Sequence, residues 1–201
     1  EGAGLSNSIR AIYVGGSGPS SPSGENTIDF ITISSTGNAV DFGDETASST
    51  VEKQGALAST TRGIIAGGSG MSGRISFITI MTTGNTEDFG DLTAQTVANS
   101  GGGNATRGLI SLGNGDNSIN FITIATTGDA QDFGDRTLDN YSHASCSSPT
   151  RMATGGGYDG SSNTNMIDFV EIATTGNAQD FGDLSFARRS IGGTSNGHGG
   201  L

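Results

Sequence analysis

The sequence has few of the residues that crosslink a small domain or attract negatively charged partners. It contains one cysteine, Cys146, so no disulfide can form within the chain. Lysine and arginine number 9, against 20 aspartate and glutamate residues, and the formal net charge is −11. Because no basic surface can form, nucleic acid and anionic membranes are not expected partners. No apolar run is long enough to cross a bilayer as a helix.

Residues that support nucleophilic or phosphate chemistry are also scarce. The two histidines, His143 and His198, stand in unlike sequence contexts. Cys146 closely follows His143, but it lies in a serine-rich stretch that predicts a small buried residue rather than a nucleophile. No glycine-rich stretch opens a helix, as a phosphate-binding loop requires. The sequence therefore predicts a protein that is not an enzyme and that needs no cofactor.

Glycine is abundant, at 35 residues, and much of it belongs to an internal repeat. One block recurs four times with the pattern of IDFITISSTGNAVDFGD, at residues 28–44, 75–91, 119–135 and 167–183. Insertions and deletions fall only between the blocks, where loops are expected. A repeat of this period is typical of stacked supersecondary units rather than of a disordered chain.

Each repeat contains four short segments with strand character, which we call a, b, c and d in chain order. Segment a is rich in small residues, segment b begins at an arginine and ends in glycine, segment c is of the IDFITI type, and segment d carries DFGD. In segment c, Ile28 and Phe30 point to one face and Ile31 to the other, so both faces must be covered. This pattern predicts an all-β fold of four-stranded antiparallel sheets, stacked as the blades of a β-propeller.

The a-to-d pattern resembles the kelch repeat. Gly15 and Gly16 match the kelch glycine pair, Phe30 stands near the kelch tyrosine, and Phe42 stands near the kelch tryptophan. The chain has no tryptophan, so it is similar to a divergent, kelch-like repeat. The resemblance implies a propeller of four-stranded blades. The near-identity of the copies also resembles tandem-repeat proteins of phage and marine metagenomic origin, which implies a virion or extracellular location.

The repeats predict one domain over residues 1–201, with units at about 1–48, 49–95, 96–140 and 141–185. Residues 190–199, within the tail 186–201, resemble segment a once more. A closed ring of four blades is favoured, in which this extra strand exchanges with the N-terminal one, because closure removes exposed sheet edges. The alternatives are five blades, with the fifth completed by a neighbouring chain, and a piece of a longer array.

The DFGD motif contains the tripeptide that binds Mg²⁺ in protein kinases, but it occurs four times without the other kinase motifs. A structural role is favoured, in which Phe fills the space between blades, Gly sets a bend and the Asp residues accept hydrogen bonds from turn N–H groups. The eight Asp residues could instead ligate Ca²⁺, but their spacing is not that of a calcium loop. The sequence therefore predicts no metal site.

Two sets of residues are candidates for ligand binding. Four arginines open segment b in successive repeats, and they predict either an anion site or, as the favoured alternative, ion pairs with the DFGD carboxylates; they are Arg10, Arg62, Arg107 and Arg151. Tyr141 and Tyr158 are the aromatic residues best placed to stack on a sugar face. The loops between segments b and c vary most, and variable loops on a rigid scaffold often bind ligands. These loops are residues 17–27, 69–74, 114–118 and 158–166.

These observations predict a binding or structural propeller module without catalytic activity, such as a phage appendage domain that contacts a host glycan or another virion protein. Identical blades would offer multivalent contacts. One alternative is a structural subunit that forms a homo-oligomer or filament through its extra C-terminal strand. Another is an engineered or reconstructed repeat protein without a natural ligand, although the variation among copies and loops argues against full design.

Overall fold

The computed structural model describes residues 2–18 and 24–194, and these form four sheets of four strands each. Sheet 1 contains β1 (Ala3–Ser6), β2 (Arg10–Val14), β3 (Thr27–Thr32) and β4 (Val40–Asp44). Sheet 2 contains β5 (Gly55–Ala58), β6 (Arg62–Ala66), β7 (Arg74–Thr79) and β8 (Glu87–Asp91). Sheet 3 contains β9 (Ser100–Gly103), β10 (Arg107–Ser111), β11 (Ser118–Thr123) and β12 (Gln131–Asp135). Sheet 4 contains β13 (Ala144–Ser147), β14 (Arg151–Gly155), β15 (Met166–Glu171) and β16 (Gln179–Asp183).

Every sheet is an antiparallel meander whose strands pair in chain order. The four strands of a sheet correspond to segments a, b, c and d of one repeat, so the all-β prediction is confirmed at this level. No helix capable of spanning a membrane occurs in the described ranges. The predicted loop 17–27 and the predicted extra strand, residues 190–199, lie partly outside the described residues. His198 lies outside them as well.

The connection between the first two strands is held by one side chain in every repeat. In sheet 1, Asn7 Oδ1 accepts hydrogen bonds from the N–H groups of Ile9 (2.9 Å) and Arg10 (2.8 Å). An Asn or Ser side chain that accepts two backbone N–H groups replaces hydrogen bonds that the tight turn cannot make itself. The same turn is built on Ser59, Asn104 and Ser148.

The DFGD motif forms a β-bulge in the outermost strand. Ile28 lies opposite Gly43 and Asp29 opposite Asp41, so Phe42 is an extra residue in β4. Gly43 has φ +147°, a value that favours glycine. The bulge turns the ring of Phe42 edge-on to Phe30, with ring centroids 6.0 Å apart. The same register shift recurs in the other three sheets.

The predicted role of DFGD is confirmed for Phe and Gly. The rings of Phe42, Phe89 and Phe133 are buried between neighbouring sheets. For the carboxylates, the structure gives one hydrogen bond of the expected kind, in which Gly134 N–H donates to Asp132 Oδ1 at 3.2 Å.

Between segments c and d, a sequence of the Thr-Thr-Gly-Asn type predicts the hairpin turn, because Gly and Asn tolerate positive φ. The structure shows that this predicted position is wrong. The chain reverses earlier than the Thr-Gly-Asn sequence, at residues 32–35, where Ser35 N–H donates to the Thr32 carbonyl oxygen at 3.2 Å. The Thr-Gly-Asn segment that follows carries no turn. It is instead free to run along the edge of the preceding sheet.

This segment joins consecutive sheets by three hydrogen bonds, which we call the clasp. Gly84 N–H donates to Phe42 O (2.8 Å), and Thr86 N–H donates to Asp44 O (3.0 Å). Asp44 N–H donates in return to Asn85 Oδ1 (3.0 Å). The clasp recurs with residues 128–130 on β8 and with residues 176–178 on β12.

Three apolar clusters lie between successive sheets, one at each junction. At the first junction, Leu5 of β1 lies over Gly63 of β6, where a Cβ atom would be 2.7 Å from the Leu5 side chain. Leu57 and Gly108 repeat this arrangement at the second junction. The first strands also touch in sequence, β1 with β5, β5 with β9, and β9 with β13.

No such junction joins sheet 4 to sheet 1 among the described residues. Phe181 of β16 is 60% exposed and Phe186 is 73% exposed, whereas the equivalent DFGD rings of sheets 1 to 3 are buried. On sheet 1, Tyr13 and Ile33 are each 52% exposed. Their equivalents in later repeats are buried, namely Ile65, Ile80, Ile110, Ile124 and Ile172. One face of sheet 1 and one face of sheet 4 are therefore open.

Residues 190–194 follow β13 as the first strand of a further sheet would. Ser190 N–H donates to Ser142 O (2.9 Å), as Ala98 N–H donates to Lys53 O (2.8 Å) in the preceding repeats. A residue with positive φ lies two positions before β5, β9 and β13, and Ser190 shares this conformation with these residues, which are Lys53, Ala98 and Ser142. The segment forms no strand ladder of its own, but it occupies the position that the extra segment a predicts.

The glycine of the bulge offers a test of the clasp. Gly90→Ala would place a Cβ atom 2.5 Å from the Gly128 carbonyl, so we expect the variant to lose the clasp on β8. Gly182→Ala is the matched control, since Gly182 has a similar φ of +137° but nothing within 4 Å of its Cβ position. We expect Gly90→Ala to lower the free energy of unfolding by about 1–3 kcal/mol more than Gly182→Ala. Equal losses in urea titrations would contradict the clasp.

Candidate functional site

The four arginines of the sequence prediction have equivalent environments, one per sheet. Each guanidinium lies over the phenylalanine of the third strand in its own sheet, with its carbon 4.2–4.7 Å from the ring centroid. The first three also donate an Nη1 hydrogen to a carbonyl oxygen of the next repeat, at 2.8–2.9 Å. These pairs are Arg10 with Ile80, Arg62 with Ile124, and Arg107 with Ile172.

The favoured prediction for these arginines was wrong about their partners. They were expected to pair with DFGD carboxylates, but the contacts of Arg10, Arg62 and Arg107 are an aromatic face and a carbonyl oxygen. Arg151 pairs with Glu171 instead, with Nε and Oε1 2.6 Å apart. A sequence cannot show which carbonyl of the next repeat comes within reach of a side chain. The anion site remains a prediction. It would involve the guanidinium N–H groups that take no part in these contacts.

Tyr141 and Tyr158 are brought together by the fold. Their rings meet edge to face with centroids 5.5 Å apart, and their backbones form an isolated bridge. The guanidinium of Arg189 lies 4.3 Å from the Tyr158 centroid and covers one of its faces. Arg189 was missed by sequence analysis because it lies in the tail, outside the repeated blocks. Stacking on a sugar remains a prediction for the ring faces that stay uncovered.

A groove recurs beside the connection between the third and fourth strands. In repeat 2 the groove has a volume of about 160 Å³ and in repeat 3 about 320 Å³. Apart from one phenylalanine each, the two grooves are lined by residues at equivalent positions. The polar ones are Thr79, Thr82, Thr83, Asn85 and Glu87 in repeat 2 and Thr123, Thr126, Thr127, Asp129 and Gln131 in repeat 3. Phe42 and Phe121 supply an aromatic wall to the first and second groove respectively. Sequence analysis missed these grooves because it assigned the Thr-Thr-Gly sequence to a turn.

The first strands of all four sheets line one central cavity of about 320 Å³. Its wall consists largely of small residues and backbone, contributed by β1, β5, β9, β13 and residues 190–193. The glycines suit this position, since a Cβ on Gly101 would lie 2.5 Å from the Ala56 carbonyl oxygen. Polar side chains also border the cavity, among them Lys53, Asn99 and His143.

His143 borders this cavity and is buried, and its two ring nitrogens form no hydrogen bond of regular geometry although backbone groups of Ser111 and Asn140 lie near them. Burial holds the pKa of His143 well below its usual 6.5, and the nearby positive charge of Arg136 lowers it further. Burial also lowers the pKa of Arg136 to about 10, although Asp168 and Asp139 oppose this shift. His143 is consequently neutral in the folded protein near neutral pH.

Cys146 is exposed, so the prediction that it is buried was wrong. Its equivalents Leu5 and Leu57 are covered by the next sheet, whereas no sheet follows β13 among the described residues. No group of three or more His, Cys, Asp or Glu side chains converges within residues 2–18 and 24–194.

The stacked arginines should contribute to stability through the next repeat. We expect Arg62→Met to lower the free energy of unfolding by about 1–2 kcal/mol, since it loses both the contact with Phe77 and the hydrogen bond to Ile124. Arg151→Met should cost less than about 1 kcal/mol, because its ion pair is exposed. Chemical denaturation of the two variants measures the difference. A larger loss for Arg151→Met would count against the inter-repeat bond.

The buried histidine should make stability depend on pH. Below pH 6.5 the unfolded chain binds a proton at this position and the folded chain does not, so the free energy of unfolding falls as the pH drops. We expect a loss approaching about 1.4 kcal/mol per pH unit between pH 6 and 5. His143→Gln, which introduces the residue found at equivalent position 54, should remove this slope, while His198→Gln should keep it. An unchanged slope in His143→Gln would refute the assignment.

The geometry described above is the basis for inferring a function. The recurrent features are a row of stacked arginines, an acidic and hydroxyl-rich groove, and a central cavity walled by inner strands. No protein-family model matches the chain, and no curated protein matches its sequence.

Proposed function

We propose that the protein is a non-enzymatic binding module of kelch-like propeller architecture, whose recurring grooves bind neutral, hydroxyl-rich ligands such as glycans. The observation that carries the proposal is the recurrence of one groove at equivalent positions in successive repeats. The clasp occupies one oxygen of Asn85 and of Asp129, and the threonines of the grooves add hydroxyl groups beside it.

The radial arrangement is supported by the inner strands. They contact one another in sequence, and together with residues 190–193 they border the same central cavity. Apolar clusters lie between successive sheets, as between the blades of a propeller. In such an arrangement the connections between third and fourth strands, and with them the grooves, lie at the periphery. They would be accessible to a large ligand.

The chemistry of the grooves favours a sugar. Threonine hydroxyls and the amide or carboxylate groups of Asn85 and Asp129 can exchange hydrogen bonds with sugar hydroxyls. In the groove of repeat 3, the partly exposed ring of Phe121 can contact the apolar face of a pyranose ring. The net charge of −11 disfavours nucleic acids and other polyanions. A neutral glycan is therefore the ligand class that fits best.

Repetition makes weak sites useful. A single shallow groove with this lining is expected to bind a sugar weakly, since it buries only part of the ligand. A polymer of the same sugar can occupy several grooves of one molecule, and the second contact is then intramolecular. Affinity for a repeating glycan should consequently exceed affinity for its monosaccharide by a large factor.

A glycan array followed by calorimetry tests this proposal. We expect a neutral polysaccharide to bind, and the double variant Thr83→Val/Thr127→Val to lose about 10–100-fold in affinity because both grooves lose a hydroxyl. Ser161→Ala removes an exposed hydroxyl in a loop outside the grooves and should bind as the unaltered protein does. Binding that survives in the threonine double variant, or an array without any signal, would refute the proposal.

A further inference from the structure

Sheet 1 and sheet 4 each have one open face. These two faces carry the groups that form a junction between consecutive sheets, and the chain makes such a junction three times internally. We propose that they form one docking site for a three-stranded segment of the same repeat, consisting of segments b, c and d. Residues 190–194 already supply the innermost strand position of that sheet. The proposal is independent of glycan binding, since it concerns the open ends and not the grooves.

The outer edge of sheet 4 is the acceptor half of a clasp. At the three internal junctions, the carbonyl oxygens of Phe42, Phe89 and Phe133 each accept a hydrogen bond from a glycine N–H of the next repeat. Phe181 is their equivalent, and its ring is 60% exposed. Nothing lies within 4 Å of the Cβ position of Gly182 in the described structure, although the equivalent positions at Gly43, Gly90 and Gly134 are in contact with the clasp residues.

The first repeat carries the donor half of a clasp. Gly37, Asn38 and Ala39 are equivalent to the clasp residues 84–86, and all three are exposed. The same three residue types that hold sheets together elsewhere are therefore present and unused at this end.

A second set of hydrogen bonds lies beside the clasp, and at the open ends its acceptor is on one face and its donor on the other. At the third junction, the N–H and hydroxyl groups of Thr137 both donate to Asp168 Oδ2, at 3.0 and 2.9 Å. Asn120 accepts from Thr93 in the same way at the second junction. The equivalent residues at the open ends are the acceptor Asp29 on sheet 1 and the donor Ser185 beside sheet 4, and both are exposed.

One additional unit would complete both faces at once. Its clasp residues would donate to the carbonyl oxygens of Phe181 and Asp183, and its own DFGD strand would accept from Gly37 and Ala39. Its isoleucines would cover Phe181, and its DFGD phenylalanine would cover Ile33. Residues 2–4 and 190–193 border the same central cavity, so the two faces flank one opening. This is the reason to expect one unit rather than two separate partners.

The segment best matched to the site is residues 62–93 of this chain. Gly63 is small enough to lie under the residue equivalent to Leu5, which in sheet 4 is Cys146. Thr93 can donate to Asp29 as it donates to Asn120 of the next repeat. Gly84, Asn85 and Thr86 supply a complete clasp.

A peptide of residues 62–93 added to the full chain tests the proposal, with amide hydrogen exchange as the readout. We expect the N–H groups of Gly37, Ala39 and Asp183 to become as protected as those of Gly84, Thr86 and Asp44, which are hydrogen-bonded in the clasp. A peptide with the same composition in scrambled order is the control. Protection of Gly37 and Ala39 before any peptide is added would mean that the chain closes on itself, and a concentration-dependent dimer would mean that a second copy occupies the site. Either result would overturn the proposal.

Gly182→Ala provides the discriminating variant. Its new Cβ atom meets nothing in the described chain but would meet the peptide's clasp, so we expect peptide affinity to fall by at least about tenfold. Gly115→Ala has comparable positive φ and an equally empty Cβ position, away from both faces, and should bind normally. Equal affinity for the two variants would refute the docking mode.

A covalent version covers the case in which the free peptide is insoluble. In this engineered chain, a copy of residues 62–93 is joined directly after residue 198. Asn196 then stands three residues before the arginine of the copy, as Asn104 stands three residues before Arg107. We expect this extended chain to unfold at a higher temperature than the unaltered chain and to protect Gly37 and Ala39. An extended chain with unchanged stability and unprotected amides would overturn the proposal, whereas the glycan experiment would be unaffected by either outcome.

Discussion

The structure depends on the burial of apolar side chains on both faces of a thin sheet. A four-stranded sheet has no interior of its own, so each repeat can bury its isoleucines and its DFGD phenylalanine only against a neighbouring copy. Burying one such phenylalanine contributes about 2 kcal/mol, and three of the four are buried at junctions. The bulge directs these rings toward the neighbour, and the glycine at the bulge leaves room for the neighbour's clasp.

The same constraint explains what could be predicted from the sequence. Apolar residues on both sides of segment c required covered sheets, and the fixed spacing within each block required equivalent strands, so the four antiparallel sheets and the role of Phe in DFGD were predictable. The contacts of the arginines were not, because the carbonyl oxygens of Ile80, Ile124 and Ile172 come within reach only when the next repeat is in place. The exposure of Cys146 follows from the end of the stack rather than from its local sequence.

The error in the turn is instructive for the candidate site. Thr-Gly-Asn is a common turn sequence, and nothing local indicates that it will run beside another sheet instead. Its backbone N–H groups form the clasp, while its threonines line the grooves. One segment thus holds consecutive repeats together and also presents the polar groups that we propose to bind glycans.

The central claim, that each DFGD ring is buried by the following repeat, can be tested most directly by fluorine NMR on protein labelled with fluorophenylalanine, in the presence of a soluble paramagnetic agent. The account predicts that the rings of Phe42, Phe89 and Phe133 are shielded from the agent, whereas Phe181, which no described repeat follows, is strongly relaxed. Equal relaxation of all four rings would contradict it.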